Sequence, residues 1–240
     1  MTNTQVPAIT VDDMHVRFVR KRLFKKTAEA HVLKGISFTL NKGDSLAVIG
    51  FNGAGKSTLL RVMAEILAPD AGKCLNHNVS TALLAMGVGM FPQCSGRVNT
   101  VMQLMLQLGI GKREAESMVD GIAAYAELER VIDDPLTTYS TGMSMRLQFA
   151  IATQSRPDVL LVDEILAVGD LPFRQKSIAT MRAKLSSGDT VVFVSHALNE
   201  VRELCQRAIW LENGIILADG AAKDVVKEYV QYFNILGKNK

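Results

Sequence analysis

Cysteine is scarce in this chain. Cys74, Cys94 and Cys205 are odd in number and far apart, so they form no disulfide framework and suit a reducing compartment. Cys74-x-x-His77 has a metal-like spacing, but no second pair accompanies it to complete a tetrahedral site, and no zinc is expected. Although 48% of the residues are apolar, no apolar run reaches the roughly 18 residues needed to span a bilayer. Met1 to Thr10 carry neither the basic nor the apolar stretch of a signal peptide. Internal repeats and low-complexity segments are missing too. The formal net charge is only +3, which makes no global case for nucleic acid. If such a chain serves a membrane process, it is expected to do so from the cytosolic face.

What charge imbalance exists sits in Arg17, Arg20, Lys21, Arg22, Lys25 and Lys26. The simplest reading is a solvated loop; the alternative is a contact with anionic lipid headgroups or a charged lipid-linked substrate. Nucleic acid is the least favoured partner, since no aromatic interleaving or reading motif accompanies the run.

At 240 residues the chain is long enough for one large α/β domain and buries roughly 70–75% of its unfolded surface. Val32 to Leu40 reads as a strand, and Asn41-Lys42-Gly43-Asp44 as a turn. Ser45 to Gly50 is a short apolar run entering a glycine-rich loop, and Lys56 to Leu67 has helical spacing. Another apolar segment spans Ala82 to Met90. Val98 to Gly109 and Arg113 to Leu128 again have helical periodicity, so about 92–154 reads as a helical subdomain inserted in the sheet domain. Val159 to Val162 and Thr190 to Val194 resemble doubly covered parallel strands. Trp210 to Leu217, broken at Glu212-Asn213-Gly214, reads as a hairpin. In the tail, 221–240, Val226, Tyr229, Val230, Phe233 and Leu236 share one helical face, as a docked helix requires.

The chemistry begins at Gly50-Phe51-Asn52-Gly53-Ala54-Gly55-Lys56-Ser57-Thr58, a complete G-x-x-x-x-G-K-[ST] loop. Its glycines let backbone amides turn inward, and with the next helix N-terminus they form an anion nest. Lys56 would reach the outer phosphates of a nucleoside triphosphate, and Ser57 would place its hydroxyl on Mg²⁺. Val159 to Val162 run into Asp163-Glu164, and two carboxylates at the end of a buried strand need compensation. A bound Mg²⁺ beside Asp163 would supply it, leaving Glu164 to act as general base. The plain alternative is that the pair caps a helix. Ser140-Thr141-Gly142-Met143 precedes another helix, and Ser140 is a good N-cap. Alternatively this N-terminus, with its partial positive charge, faces a γ-phosphate. His196 follows a parallel strand at the sheet end where open α/β proteins bind ligands. It is either an unremarkable exposed histidine or a phosphate contact.

In this order the motifs resemble the nucleotide-binding domain of ATP-binding-cassette (ABC) transporters over about residues 8–220. Gly50 to Thr58 looks like Walker A, Val159 to Asp163 like Walker B with Glu164 as catalytic glutamate, Asp170 like the D-loop aspartate, and His196 like the switch histidine. Ser140 to Met143 is similar to the L-S-G-G-Q signature, followed by Arg146 at the family's arginine. The fold implied is a P-loop α/β domain with a mainly parallel sheet core and an inserted helical subdomain. Tyr139-Ser140-Thr141-Gly142-Met143, Leu166-Ala167-Val168-Gly169-Asp170 and Gly87-Val88-Gly89-Met90-Phe91-Pro92 further resemble the branch exporting capsular polysaccharide, O-antigen and teichoic acid. Departures are visible: the Q-loop glutamine position falls on Met86, Gln93 is out of register, and Thr141 replaces a glycine or serine. Phe18 is the expected adenine-stacking aromatic, with Phe24 possible because the basic insert shifts register.

The resemblance implies an ATPase that uses ATP and Mg²⁺. It implies a homodimer in which each Gly50 loop is closed by the other copy's Ser140 helix. A two-copy permease would contact a groove around Met86 to Asn99 and move a lipid-linked polysaccharide, so the chain would sit peripherally on the cytoplasmic face of the bacterial inner membrane. O-antigen members that recognise glycan ends carry a further C-terminal carbohydrate-binding domain, which is not expected in these 240 residues. A soluble ABC ATPase acting on nucleic acid or ribosomes, and a module that binds ATP without hydrolysing it, are the other classes weighed.

Overall fold

A computed structural model describes residues 6–22, 25–85, 89–163 and 170–238. The chain opens with a long antiparallel pair, β1 (Pro7–Arg22) and β2 (Lys25–Asn41), followed by β3 (Ser45–Ile49) and α1 (Lys56–Met63). Next come β4 (Ala71–Asn76), β5 (Thr81–Leu84), α2 (Gly96–Leu108), α3 (Lys112–Ala126) and α4 (Thr141–Gln154). The remainder is β6 (Val159–Asp163), α5 (Leu171–Ser186), β7 (Thr190–Val194), α6 (Leu198–Leu204), β8 (Arg207–Glu212), β9 (Ile215–Ala221) and α7 (Ala222–Lys238).

Two sheets result. One is antiparallel, in the order β2-β1-β4; the other has six strands in the order β5-β6-β7-β3-β8-β9 and is parallel except for the β8–β9 hairpin. The parallel strands are covered on both faces, and β3 and β7 are buried at every position, so they read as apolar runs and not as alternations. On one face, Leu46, Val48, Leu161, Val192 and Val194 pack with α1 and the antiparallel sheet. On the other, Ala47, Ile49, Val162 and Phe193 pack with Phe149, Phe173 and the Val225–Val226 face of α7. A third core holds α2, α3 and α4 together through Leu104, Val119, Ile122 and Leu147.

Two expectations need correction. The basic run from Arg17 is not a loop: it lies on the paired strands β1 and β2, with Arg17 at 3.4 Å from Glu29 on the opposing strand. β1 itself and β4 were unanticipated. The helix after the glycine loop stops at Met63 and not at Leu67, because Glu65 takes a left-handed φ of 58° and the amides of Ile66 and Leu67 both return to the Arg61 carbonyl.

Candidate functional site: a phosphate cleft and a distant helix cap

Strands β6, β7 and β3 are neighbours and parallel, so their C-terminal ends share one edge of the sheet. That edge receives Asp163 at the end of β6, His196 two residues past β7, and the Gly50 loop after β3. A cleft of about 270 Å³ opens there, lined by Val32, Asn52, Gly53, Gly55, Lys56, Ser57, Thr58 and Asp163. Ligand pockets run from about 300 Å³ upward, so this one suits the phosphates and leaves the rest of a nucleotide outside. A larger cavity, about 470 Å³ between β5 and α2, has no such ring of phosphate-binding groups.

The loop is tied down at both sides. Gly50 presses β3 against β8, where a Cβ would stand 2.0 Å from the Leu211 carbonyl oxygen. The Gly214 amide in the β8–β9 turn donates to the Ala54 carbonyl at 3.2 Å, and Lys34 of β2 donates to Gly214 at 2.8 Å. Lys56 is buried, with Nζ donating to the carbonyls of Gly50 at 2.8 Å and Phe51 at 2.9 Å. An anion in the cleft would offer this buried ammonium a charged acceptor in place of the neutral loop carbonyls. Helix α1 starts at Gly55 without a side-chain cap and without an acidic residue in its first turn, so its amides are open to an anion. Across the cleft, neither the Ser57 hydroxyl nor the Asp163 carboxylate takes a side-chain partner among the described residues. Two unspent oxygen donors on one cleft suit a hard cation such as Mg²⁺.

Ser140 to Met143 are elsewhere, and none of them lines the cleft. Ser140 Oγ accepts from the Met143 amide at 3.2 Å, so it caps α4, and Ser140 and Thr141 are exposed. The segment leading to them is pinned. Tyr139 donates its hydroxyl to the Val131 carbonyl at 2.6 Å, and burial, then Asp134 and Asp133, push its pKa up to about 12. Arg97 at the start of α2 holds Asp133 at 2.6 Å and Asp120 at 3.0 Å. Behind the cap, Arg146 lies 5.8 Å over the Phe173 ring and 3.6 Å from Glu127. The Phe173 amide in turn donates to Asp170, the N-cap of α5, at 3.2 Å. Phe173 thus touches both sides, its ring under Arg146 of α4 and its amide on Asp170.

Phe18 lies on β1 opposite Ala30, exposed and outside the cleft lining. His196 is exposed. Glu164, Phe24, Met86, Gly87, Val88 and the Leu166 to Gly169 motif lie outside the described residues. Cys74 packs against the core while His77 bonds Thr10 at 3.0 Å. Val32 was not foreseen as a cleft residue; it enters from β2, whose apolar pattern marks it only as strand.

An uncapped helix N-terminus and a buried lysine bonded back to its own glycine-rich loop, at the carboxyl edge of a parallel sheet, define a P-loop nucleotide-binding protein. The family model described as ABC transporter matches residues 33–167. The chain is 38% identical over 216 residues to the O-antigen export system ATP-binding protein RfbB of Klebsiella pneumoniae, covering 89% of this chain and 87% of that one. It is 36% identical over 220 residues to the teichoic acids export ATP-binding protein TagH of Shouchella clausii, spanning 90% of this chain but only 61% of that protein's length. The fold superimposes with a TM-score of 0.72 on a dimeric ATP-binding cassette in a post-hydrolysis state bound to ADP and Pi, at 19% identity, covering 89% of this chain and 98% of that one. The chain belongs to the ABC transporter family.

Proposed function

We propose that the chain is the ATP-hydrolysing subunit of an exporter that moves a lipid-linked cell-surface polysaccharide, of O-antigen or capsule type, across the bacterial inner membrane. Relatives named for O-antigen export and teichoic acid export support the transported class. The observation that carries the mechanism is the division of the site. The phosphate cleft gathers Lys56, Ser57 and Asp163, while the capped N-terminus at Ser140 is not among the residues that line it.

In this reading the loop amides of Gly53 to Ser57 cradle the phosphates, and Lys56 leaves its two loop carbonyls for the β and γ oxygens. Ser57 and Asp163 would hold Mg²⁺, which would supply neutralisation of the phosphate charge. Glu164, next in the chain after Asp163, takes the proton of the attacking water, and His196 contacts the γ-phosphate. The Ser140 helix of a second copy closes over that phosphate in an isologous dimer. Asp170 and Phe173 carry the closure into α5.

Partners follow from the same division. The cavity between β5 and α2 exposes Leu106 (73%) and Ile66 (53%) among polar groups that include Asn76, Gln103 and Gln107, a mixed surface whose two exposed apolar side chains a permease helix would cover. No helix among the described residues is long and apolar enough to cross a membrane; the membrane path is assigned to a separate two-copy permease, with this subunit on its cytoplasmic face. The test is complementation. In cells deleted for this chain, the wild type restores surface polysaccharide, whereas Lys56→Ala and Glu164→Gln leave lipid-linked polysaccharide inside. Normal export by either variant would overturn the reading.

A further inference from the structure

Phe51 is the odd residue of the phosphate loop: a large ring, 46% exposed, and the one aromatic side chain between Gly50 and Thr58. It does not stand alone. The ring of Phe233 on α7 meets it edge-on at 4.3 Å and 89°, and Tyr229, one turn earlier, lies at 6.4 Å. Tyr229 and Phe233 touch at 4.7 Å, and Tyr229 meets the buried Trp210 of β8 edge-on at 5.4 Å. A chain of rings therefore runs from the phosphate loop through the last helix to the chain's single tryptophan.

We propose that α7, through Phe233 and Tyr229, positions the phosphate loop for ATP, and that Trp210 senses its occupancy. This rests on the ATP-binding reading above. The peptide that carries the Phe51 ring also carries the carbonyl that accepts from Lys56. When phosphate draws Lys56 away, that carbonyl keeps only the 3.2 Å bond from the Ala54 amide, and the ring's seat on α7 is the side-chain restraint that remains on the Phe51 residue itself. Edge-to-face packing is directional, so α7 sets the orientation of the peptide and not merely its burial. Phe233 and Tyr229 are positioning residues: they act on the nucleotide through Phe51.

The test compares variants on one helix. Phe233→Ala raises KM for ATP about two- to tenfold, the range an aromatic pair supports, with kcat within about twofold. Phe233→Leu, which keeps α7 packed but loses the ring, shifts KM in the same direction, and Phe233→Tyr returns it to the wild-type value. Tyr232→Ala is the control, because Tyr232 contacts Trp210 at 5.1 Å and Phe233 at 5.5 Å on the same helix; it lowers Tm without moving KM. In the wild type, MgATP changes Trp210 fluorescence, and Phe233→Ala abolishes that change. Wild-type KM in Phe233→Ala and Phe233→Leu, or an equal KM rise in Tyr232→Ala, would overturn the positioning role while leaving the ATPase intact. Absence of ATP binding to the wild type by calorimetry would remove the ATP reading and this inference with it.

Discussion

Alanine at Gly50 and alanine at Gly53 perturb the same loop in two physically different ways. At Gly53, φ is +84° and an added Cβ meets nothing within 4 Å, so the stability cost is that of the left-handed backbone, about 1–2 kcal/mol. At Gly50, φ is +149° and the Cβ would stand 2.0 Å from the Leu211 carbonyl oxygen and 3.1 Å from its carbon. Both are backbone atoms, so no rotamer change relieves the collision. Either β3 or β8 must move, although they pair from Leu46 with Arg207 to Ile49 with Trp210. Overpacking a core costs about 1–3 kcal/mol even where side chains can shift, and backbone strain adds to it here, so the total passes about 3 kcal/mol. A chain of this size loses about 2–4 °C of Tm per kcal/mol. Calorimetry is then expected to show Gly53→Ala down by about 2–8 °C and Gly50→Ala by about 6–12 °C or more. Gly53 lines the cleft, so its alanine variant should stay folded yet bind ATP weakly, a separation that Gly50→Ala cannot show. Equal Tm losses in the two variants would refute the steric argument.

Asp158 accepts from the Ser80 amide and the Ser80 hydroxyl, each at 2.8 Å, and these bonds hold its pKa below the ordinary carboxylate value. A depressed carboxylate contributes stability that is present above its unfolded pKa of about 3.9 and is lost as pH falls through the folded value. Urea denaturation should therefore find wild type more stable than Asp158→Asn at pH 7 and the gap closing below about pH 4; a pH-independent gap would contradict it. Burial pushes the Cys205 thiol up to about 12, and burial with Glu65 pushes Cys74 up to about 11, so little thiolate exists at pH 8. Mass spectrometry should show both alkylating much more slowly in native protein than in urea, and equal rates would refute the burial account.

Much of the nucleotide site was legible because its chemistry is local. A loop that must turn amides inward and a strand that must end in a carboxylate both write themselves into a few adjacent residues. β6 and β7 were legible for the same reason, since strands covered on both faces become unbroken apolar runs. β4 left no such signal: Ala71–Asn76 is mostly exposed and is held by its backbone ladder to β1. β1 buries Ile9, Val11, Met14 and Val16, but register shifts within its pairing to β2 break the alternation that would reveal it. The contact between Phe51 and Phe233 joins residues far apart in the chain, and no local pattern marks it. Ser140 shows the opposite limit. Its cap on α4 was readable, and the cap is what the structure contains; the proposed role toward phosphate would need a second copy and has no trace within one chain.

The central claim is that each cleft is half a catalytic site, and mixing two crippled variants tests it most directly. Lys56→Ala removes the phosphate ligand, and Ser140→Arg blocks the closing helix, so each homodimer has no working site. Equimolar mixing with random pairing makes about half the dimers mixed, each with one intact loop facing one intact Ser140 helix, and phosphate release should recover to about a quarter of wild type. A mixture as inactive as either variant alone would contradict the account.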